Sequence, residues 1–245
     1  MKPPVIRRIQ DALPGGEGQA LVLIKGFRTQ GELGTAEKEA LARAFRDGGW
    51  QGTIYQLGWD SSNKAGFYKR LGLGTWLKVK KRSKRVGLSW VAELRPTIPE
   101  PEVTLIAHSL GCRVAHRAML DCLEKRDHLH DVVLLAGAIG ADDGHEWLSL
   151  ADRVLRGRLY NVFNPEDEEL AGKAYGLVSK HTPAGRTALA AHPKILSVDV
   201  NGYLGREHDL HAYLAIFPAR IAPILWSGGA PSAPAPDDTS ATSRA

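Results

Sequence analysis

From Val103 to Gly111 the chain reads Val-Thr-Leu-Ile-Ala-His-Ser-Leu-Gly, an apolar run that ends on Ser109 with Ala107 two residues before it and Gly111 two after. Immediately beyond, Val114, Ala115, Ala118, Met119, Cys122 and Leu123 fall on one face of a predicted helix. A buried strand, a sharp turn and a helix in that order lift the serine hydroxyl to the head of the helix, where oriented backbone N–H groups favour developing negative charge. Such a turn strains the serine backbone, so its second neighbours on either side must be small. The chemistry this suits is nucleophilic attack on an acyl carbon, with the N–H of Leu110 as one oxyanion donor.

The arrangement matches the nucleophile elbow of an α/β hydrolase, and that fold prescribes where the partners belong. A second oxyanion donor is expected after an earlier strand, where Lys25-Gly26-Phe27 stands; Gly26 lets the chain turn so that the Phe27 N–H faces the serine. An acid and then a histidine must follow the serine in sequence. After the run Leu159–Phe163 comes Asn164-Pro-Glu-Asp-Glu-Glu169, and Asp167 is the favoured acid with Glu166 as alternative. Asp142 and Asp143, after the preceding strand, are further alternatives, since some hydrolases carry the acid there. Past the last predicted strand, Asn201–Tyr213 holds two histidines. His208 is favoured as the base because it sits nearer the loop; His211 is the alternative.

The elements that must position these residues are also legible. Six apolar runs read as strands: Ala20–Lys25, Thr53–Leu57, Val103–Ala107, Asp131–Ala138, Leu159–Phe163 and Ile195–Val200. Several are continuous rather than alternating, as in strands buried on both faces of a parallel sheet. Helical stretches lie between them; after Thr35, for example, Ala40, Leu41, Ala44 and Phe45 share a face. Strand and helix alternating in this way predict an α/β-hydrolase-like sandwich, a mainly parallel sheet of about six strands with helices on both faces. The expected organisation is one domain over residues 1–226, with a basic helical insertion at about 61–101 and a disordered Pro, Ala, Ser and Thr tail over 227–245.

Composition narrows the function classes. At 245 residues and 43% apolar content the chain can bury a sizeable core, and no apolar run approaches the roughly 18 residues of a spanning helix. No secretory leader is apparent, so a cytoplasmic place, at most peripheral to a membrane, is the expectation. Cys112 and Cys122, ten residues apart on one predicted helix, would be about 15 Å apart and read as packing residues. The net charge of +5 is local: between Ser61 and Ala92 there are nine Lys and Arg residues and no acid. That points to an anionic surface meeting Lys78–Arg85, or to a solvated helix face. No convincing metal-ligand set, dinucleotide fingerprint or nucleotide-binding loop occurs, so neither metal nor cofactor is expected, and no nucleic acid.

With these residues in view, the chain from about Ala20 to Tyr213 resembles the α/β-hydrolase family typified by transmembrane and coiled-coil domain-containing protein 4. The resemblance rests on Lys25-Gly26-Phe27, on Ile54–Ser61 with its Trp59-Asp60-Ser61, on Leu105–Gly111, on Val132–Ala138, on Tyr160–Asp167, and on Val198-Asp199-Val200 ahead of His208. It implies a nucleophile at Ser109, an acid at Asp167 and a histidine near position 208. Members of that family often carry membrane-spanning helices, which this sequence does not show. The expectation is a serine hydrolase for carboxylic esters, of small molecules or lipids. The alternative is a catalytically silent binding protein of the same fold that docks on an anionic membrane or acidic partner.

Overall fold

Largely apolar runs make the central strands of this protein because helices cover both faces of its sheet there. The computed structural model describes residues 3–26, 34–61, 73–142, 144–172 and 181–226. Seven strands are formed: β1 (Val5–Gln10), β2 (Gln19–Ile24), β3 (Thr53–Gly58), β4 (Glu102–His108), β5 (Val132–Leu135), β6 (Leu159–Phe163) and β7 (Ile195–Asp199). Their order across the sheet is β1-β3-β2-β4-β5-β6-β7. All neighbours run parallel except β1, which pairs antiparallel with β3. The fold is thus an α/β-hydrolase-like sandwich with seven strands rather than about six.

The extra strand, β1, escaped the sequence because an edge strand needs little apolar content. In Val-Ile-Arg-Arg-Ile-Gln only Ile6 and Ile9 are half-buried, and the Arg8 guanidinium lies over the Tyr55 ring at 5.8 Å. The fifth strand is shorter than its apolar run, ending at Leu135, because the chain turns left-handed at Ala136 (φ 47°) and leaves the sheet.

Period-two alternation along the strands sorts their side chains between two cores. On one side Val22, Leu105 and Leu134 meet α2 (Leu73–Gly87), α3 (Gly111–Lys125) and α4 (Gly144–Val154) through Val79, Val86, Val114, Met119 and Trp147. On the other, Leu21, Leu23, Ile106 and Val133 meet α1 (Thr35–Asp47) and the C-terminal helical segments through Leu41, Phe45, Tyr213 and Phe217. Phe45 and Phe217 lock these together edge to face, ring centroids 5.0 Å apart.

Within the basic stretch at 61–101, α2 crosses from β3 toward β4 and packs on α3. After it, a π-helical turn at Trp90–Leu94 buries Trp90 completely. The turn is anchored by buried Asp121, whose Oδ2 accepts the Val91 N–H at 2.7 Å while Lys125 binds Oδ1 at 2.7 Å. Phe67 and Tyr68, and the tail 227–245, lie outside the described residues.

A tight crossing lies where α3 begins. A Cβ on Gly111 would stand 2.2 Å from the carbonyl oxygen of Ile24, the last residue of β2. The helix can start directly beneath the sheet edge only because that position is glycine. Gly111→Ala is therefore expected to cost more than about 3 kcal/mol, as overpacking against backbone that cannot yield. Urea unfolding of the variant beside the native protein measures it, and an unchanged midpoint would contradict the steric account.

Candidate active site

Ser109 follows the last residue of β4 and adopts φ 55°, a left-handed conformation that costs a residue with a Cβ about 1–2 kcal/mol. Neighbouring backbone holds it there. Its N–H donates to Leu135 O at 2.9 Å, continuing the β4–β5 ladder, and its own carbonyl accepts from Cys112 N and Ala138 N, each at 3.1 Å. Gly26 makes the close approach possible from the side of β2, since a Cβ there would lie 2.7 Å from the Ser109 Cβ. That places the backbone at Gly26 against the Leu110 N–H, which makes no hydrogen bond among the described residues. Phe27, the other expected oxyanion donor, lies outside the described residues.

The loop after β6 carries Asp167, fully buried. One of its oxygens caps the short helix Glu168–Ala171, Oδ1 accepting from Leu170 N at 2.9 Å; the other, Oδ2, lies 2.6 Å from His208 Nδ1. On its far side, His208 Nε2 lies 2.9 Å from Ser109 Oγ. The tautomer that satisfies both contacts has Nδ1–H donating to Asp167 and Nε2 accepting the serine O–H. Ser109, His208 and Asp167 thus form one continuous chain of hydrogen bonds, all three buried. Glu169, largely exposed, brings a carboxylate oxygen to 3.9 Å from Nε2 on the open side.

The alternatives stand elsewhere. His211 lies on the helix Leu210–Ile216, which begins after Asp209 caps it, and its Nε2 is 3.7 Å from Glu37. Glu166 is exposed beside the acid. Exposed Asp142 accepts from Thr182 N at 3.0 Å, and Asp143 lies outside the described residues. Both cysteine thiols are buried and pushed up by that burial, so neither offers a thiolate. Among the described residues no group of three or more His, Cys, Asp or Glu could hold a metal ion.

Several residues to which the sequence assigned no role in the site hold the loops in place. Asn164, buried at the end of β6, donates from Nδ2 to the carbonyls of Gly205 (2.7 Å) and Glu207 (3.3 Å). Arg186 grips the Pro165 carbonyl from Nε (2.9 Å) and Nη2 (2.6 Å). Trp59 Nε1 donates to Lys25 O at 2.9 Å, steadying the turn at Gly26. Lys25 pairs with Glu37 at the start of α1, at 2.9 Å. His108, next to the serine, points to the opposite face from Ala107, and its Nε2 lies 2.8 Å from the carbonyl oxygen of His208. A polar side chain in a continuous apolar strand was the one available signal for it.

Among known proteins, one family matches part of the chain. Residues 55–155 match the family described as serine hydrolase, a span that includes Ser109 and stops short of Asp167 and His208. No curated protein matches the chain. An uncharacterised protein from Capnocytophaga ochracea is similar at 14% identity and TM-score 0.47, over 88% of this chain and 57% of that one. This chain therefore spans little more than half of that protein. A lipase-esterase related protein from Clostridium acetobutylicum is similar at 10% identity and TM-score 0.46, over 91% and 98% of the two chains. The poly(3-hydroxybutyrate) depolymerase LpqC from Bordetella parapertussis is similar at 14% identity and TM-score 0.47, over 94% and 87%.

These findings correct the resemblance to the family typified by transmembrane and coiled-coil domain-containing protein 4. The matching family is serine hydrolase, and no helix among the described residues is long and apolar enough to cross a membrane. The strand and elbow around Ser109, on which the resemblance partly rested, recur across the α/β-hydrolase fold and so do not identify a family within it.

Burial, and next the neighbouring His208, pull the His108 imidazole down to about 3. It is therefore neutral at ordinary pH, and Nε2 is the protonated nitrogen that donates to the His208 carbonyl. The unfolded chain takes up this proton near pH 6.5 and the folded chain only near 3. Between those values the unfolded state binds more protons, so this residue's contribution to stability falls as pH falls through the window. His108→Gln, which keeps an N–H donor and cannot titrate, is expected to lose less stability than the native protein between pH 6.5 and 4 in urea titrations. Parallel losses would show that His108 is not held neutral.

Proposed function

We propose that the protein is a serine hydrolase that cleaves carboxylic esters, lipid esters among them, with Ser109 as nucleophile, His208 as base and Asp167 orienting the imidazole. The single observation that supports this most is the unbroken relay from Ser109 Oγ to His208 Nε2 (2.9 Å) and from Nδ1 to Asp167 Oδ2 (2.6 Å), buried at a strained turn. In this reading Oγ attacks the ester carbonyl as Nε2 takes its proton. The carbonyl oxygen becomes an oxyanion held by the Leu110 and Phe27 N–H groups. Collapse of the tetrahedral adduct breaks the ester C–O bond, and Nε2–H gives its proton to the departing alkoxide. Water then attacks the acyl-serine by the same route, releasing the acid and restoring the Ser109 hydroxyl and neutral His208. Asp167 stabilises the imidazolium through the step in which it forms.

The cations of α2 support a finer element of the reading, that the enzyme works on esters at an anionic membrane surface. Lys78, Lys81, Lys84 and Arg85 are exposed. Half-buried Lys80 is pulled down by burial and by the nearby Arg113 and Arg117, so like charges gather where α2 meets α3. Each such cation gains on the order of 1 kcal/mol close to anionic headgroups.

Covalent labelling by a fluorophosphonate probe tests the hydrolase reading. Native protein is expected to label and Ser109→Ala to lose both labelling and esterase activity without loss of fold; a native protein that does not label is instead a silent binding protein. Asp167→Asn presents an amide N–H to Nδ1, forces the proton onto Nε2 and removes the acceptor for the serine. A fall in kcat on the order of 10³–10⁴-fold is expected, measured with p-nitrophenyl esters. For the membrane element, a variant with Lys78, Lys81, Lys84 and Arg85 changed to Gln is expected to sediment less with phosphatidylserine vesicles than the native protein. Equal sedimentation of both, with anionic and neutral vesicles alike, would leave the cations as a solvated face.

A further inference from the structure

We infer that His108 is a positioning residue for the base: by holding the backbone carbonyl of His208 it sets the distance between that imidazole and Ser109. The inference rests on the triad reading above and adds to it a residue outside the triad. His108 is buried, its ring centroid lies 5.2 Å from that of His208 and 6.0 Å from that of Tyr213, and its Nε2 is 2.8 Å from the His208 carbonyl oxygen.

The loop that carries His208 has no strand to pair with. Asn164 ties it at Gly205 and Glu207, and the Asp209 cap fixes the start of the helix Leu210–Ile216. Neither reaches His208 itself, whose carbonyl takes its hydrogen bond from His108. Ser109 and His108 are consecutive, and strand alternation turns the histidine toward the face on which the loop lies. Nucleophile and tether thus ride on the same backbone, so a displacement of β4 moves both together and leaves the Oγ to Nε2 distance intact.

Neutrality is part of the role. When His208 accepts the serine proton it becomes a cation, and a charged imidazole 5.2 Å away would oppose that step. Buried and uncharged, His108 supplies an N–H without adding a charge. The charged or titratable groups facing it are Lys25, His208 and Tyr213, whose hydroxyl burial pushes up so that it carries no charge. Lys25 is turned to Glu37, which offsets its charge.

The test compares three proteins: native, His108→Phe, which fills the space without a donor, and His108→Gln, whose amide Nε2–H can replace the donor. Turnover of p-nitrophenyl acetate is counted per site titrated with a fluorophosphonate, so unfolded or inactive molecules do not enter the rate. The low-field proton resonance of His208 Nδ1–H, arising from its short contact with Asp167, is followed by NMR. The Phe variant is expected to lose about 10–100-fold in kcat per site with KM within about twofold, and its resonance to move or broaden. The Gln variant is expected to recover to within about threefold in kcat, with the native resonance. If the Phe variant does not fold, His108→Met takes its place, a flexible side chain without an N–H. A donorless variant with native kcat per site and native resonance overturns the inference, as does a Gln variant no better than Phe. Failure of native protein to label would defeat the hydrolase reading alone, and the resonance would still decide the tether.

Discussion

A residue with a Cβ avoids positive φ, yet Ser109 sits at 55° and everything at the site is arranged around keeping it there. The strain is tolerable because the surrounding backbone admits no other path. Leu135 and Ala138 hold the serine from β5 and the chain beyond it, Gly111 starts α3 against the end of β2, and Gly26 closes the remaining side. Each of these partners is backbone or glycine, so the hydroxyl is the one functional group the turn presents. The same geometry leaves the Leu110 N–H without a partner among the described residues, so on the proposed reading the oxyanion position is a by-product of the strain.

The second level of order is polar. Three loops from β4, β6 and β7 converge, and side chains rather than ladders join them. Asn164 links the loop of Asp167 to the loop of His208, Arg186 fixes Pro165, and His108 reaches from the strand before Ser109 to the His208 backbone. Buried groups of this kind are costly unless every one is satisfied, which makes the network an all-or-none specification of loop geometry. Asp167 serves in both levels at once, capping a helical turn with one oxygen and meeting His208 with the other.

Much of this could be read in the sequence where the physics is local. The elbow around Ser109 requires a buried strand, small neighbours and a helix, and all three occupy contiguous residues. Most of the strands were visible because burial on two faces demands largely apolar runs, and β7 at one edge kept enough of Ile195, Leu196 and Val198 to show, while β1, half-covered at the other edge, left only Ile6 and Ile9 as a trace. The acidic run after β6 could not be resolved by composition, since helix caps and partners of histidine draw on the same carboxylates. His208 and His211 differ by three residues, and what separates them is where Asp209 starts the helix. Asn164, Arg186 and His108 act through contacts with residues 21 to 100 positions away in sequence, and no local pattern encodes such pairings.

The triad spans strand ends that lie 41 and 99 residues apart in the chain, brought together only by the sheet between them. A nascent or partly assembled molecule therefore contains an ordinary serine, an ordinary histidine and an ordinary aspartate. No fragment carries a reactive hydroxyl, and contacts of such long range form late because closing the loops must precede them. On the proposed reading, reactivity is in this sense latent, a property of the closed sheet rather than of any segment. With Ser109 as the proposed nucleophile, a mechanism-based label would accordingly mark mature molecules alone, making the serine an internal gauge of completed folding.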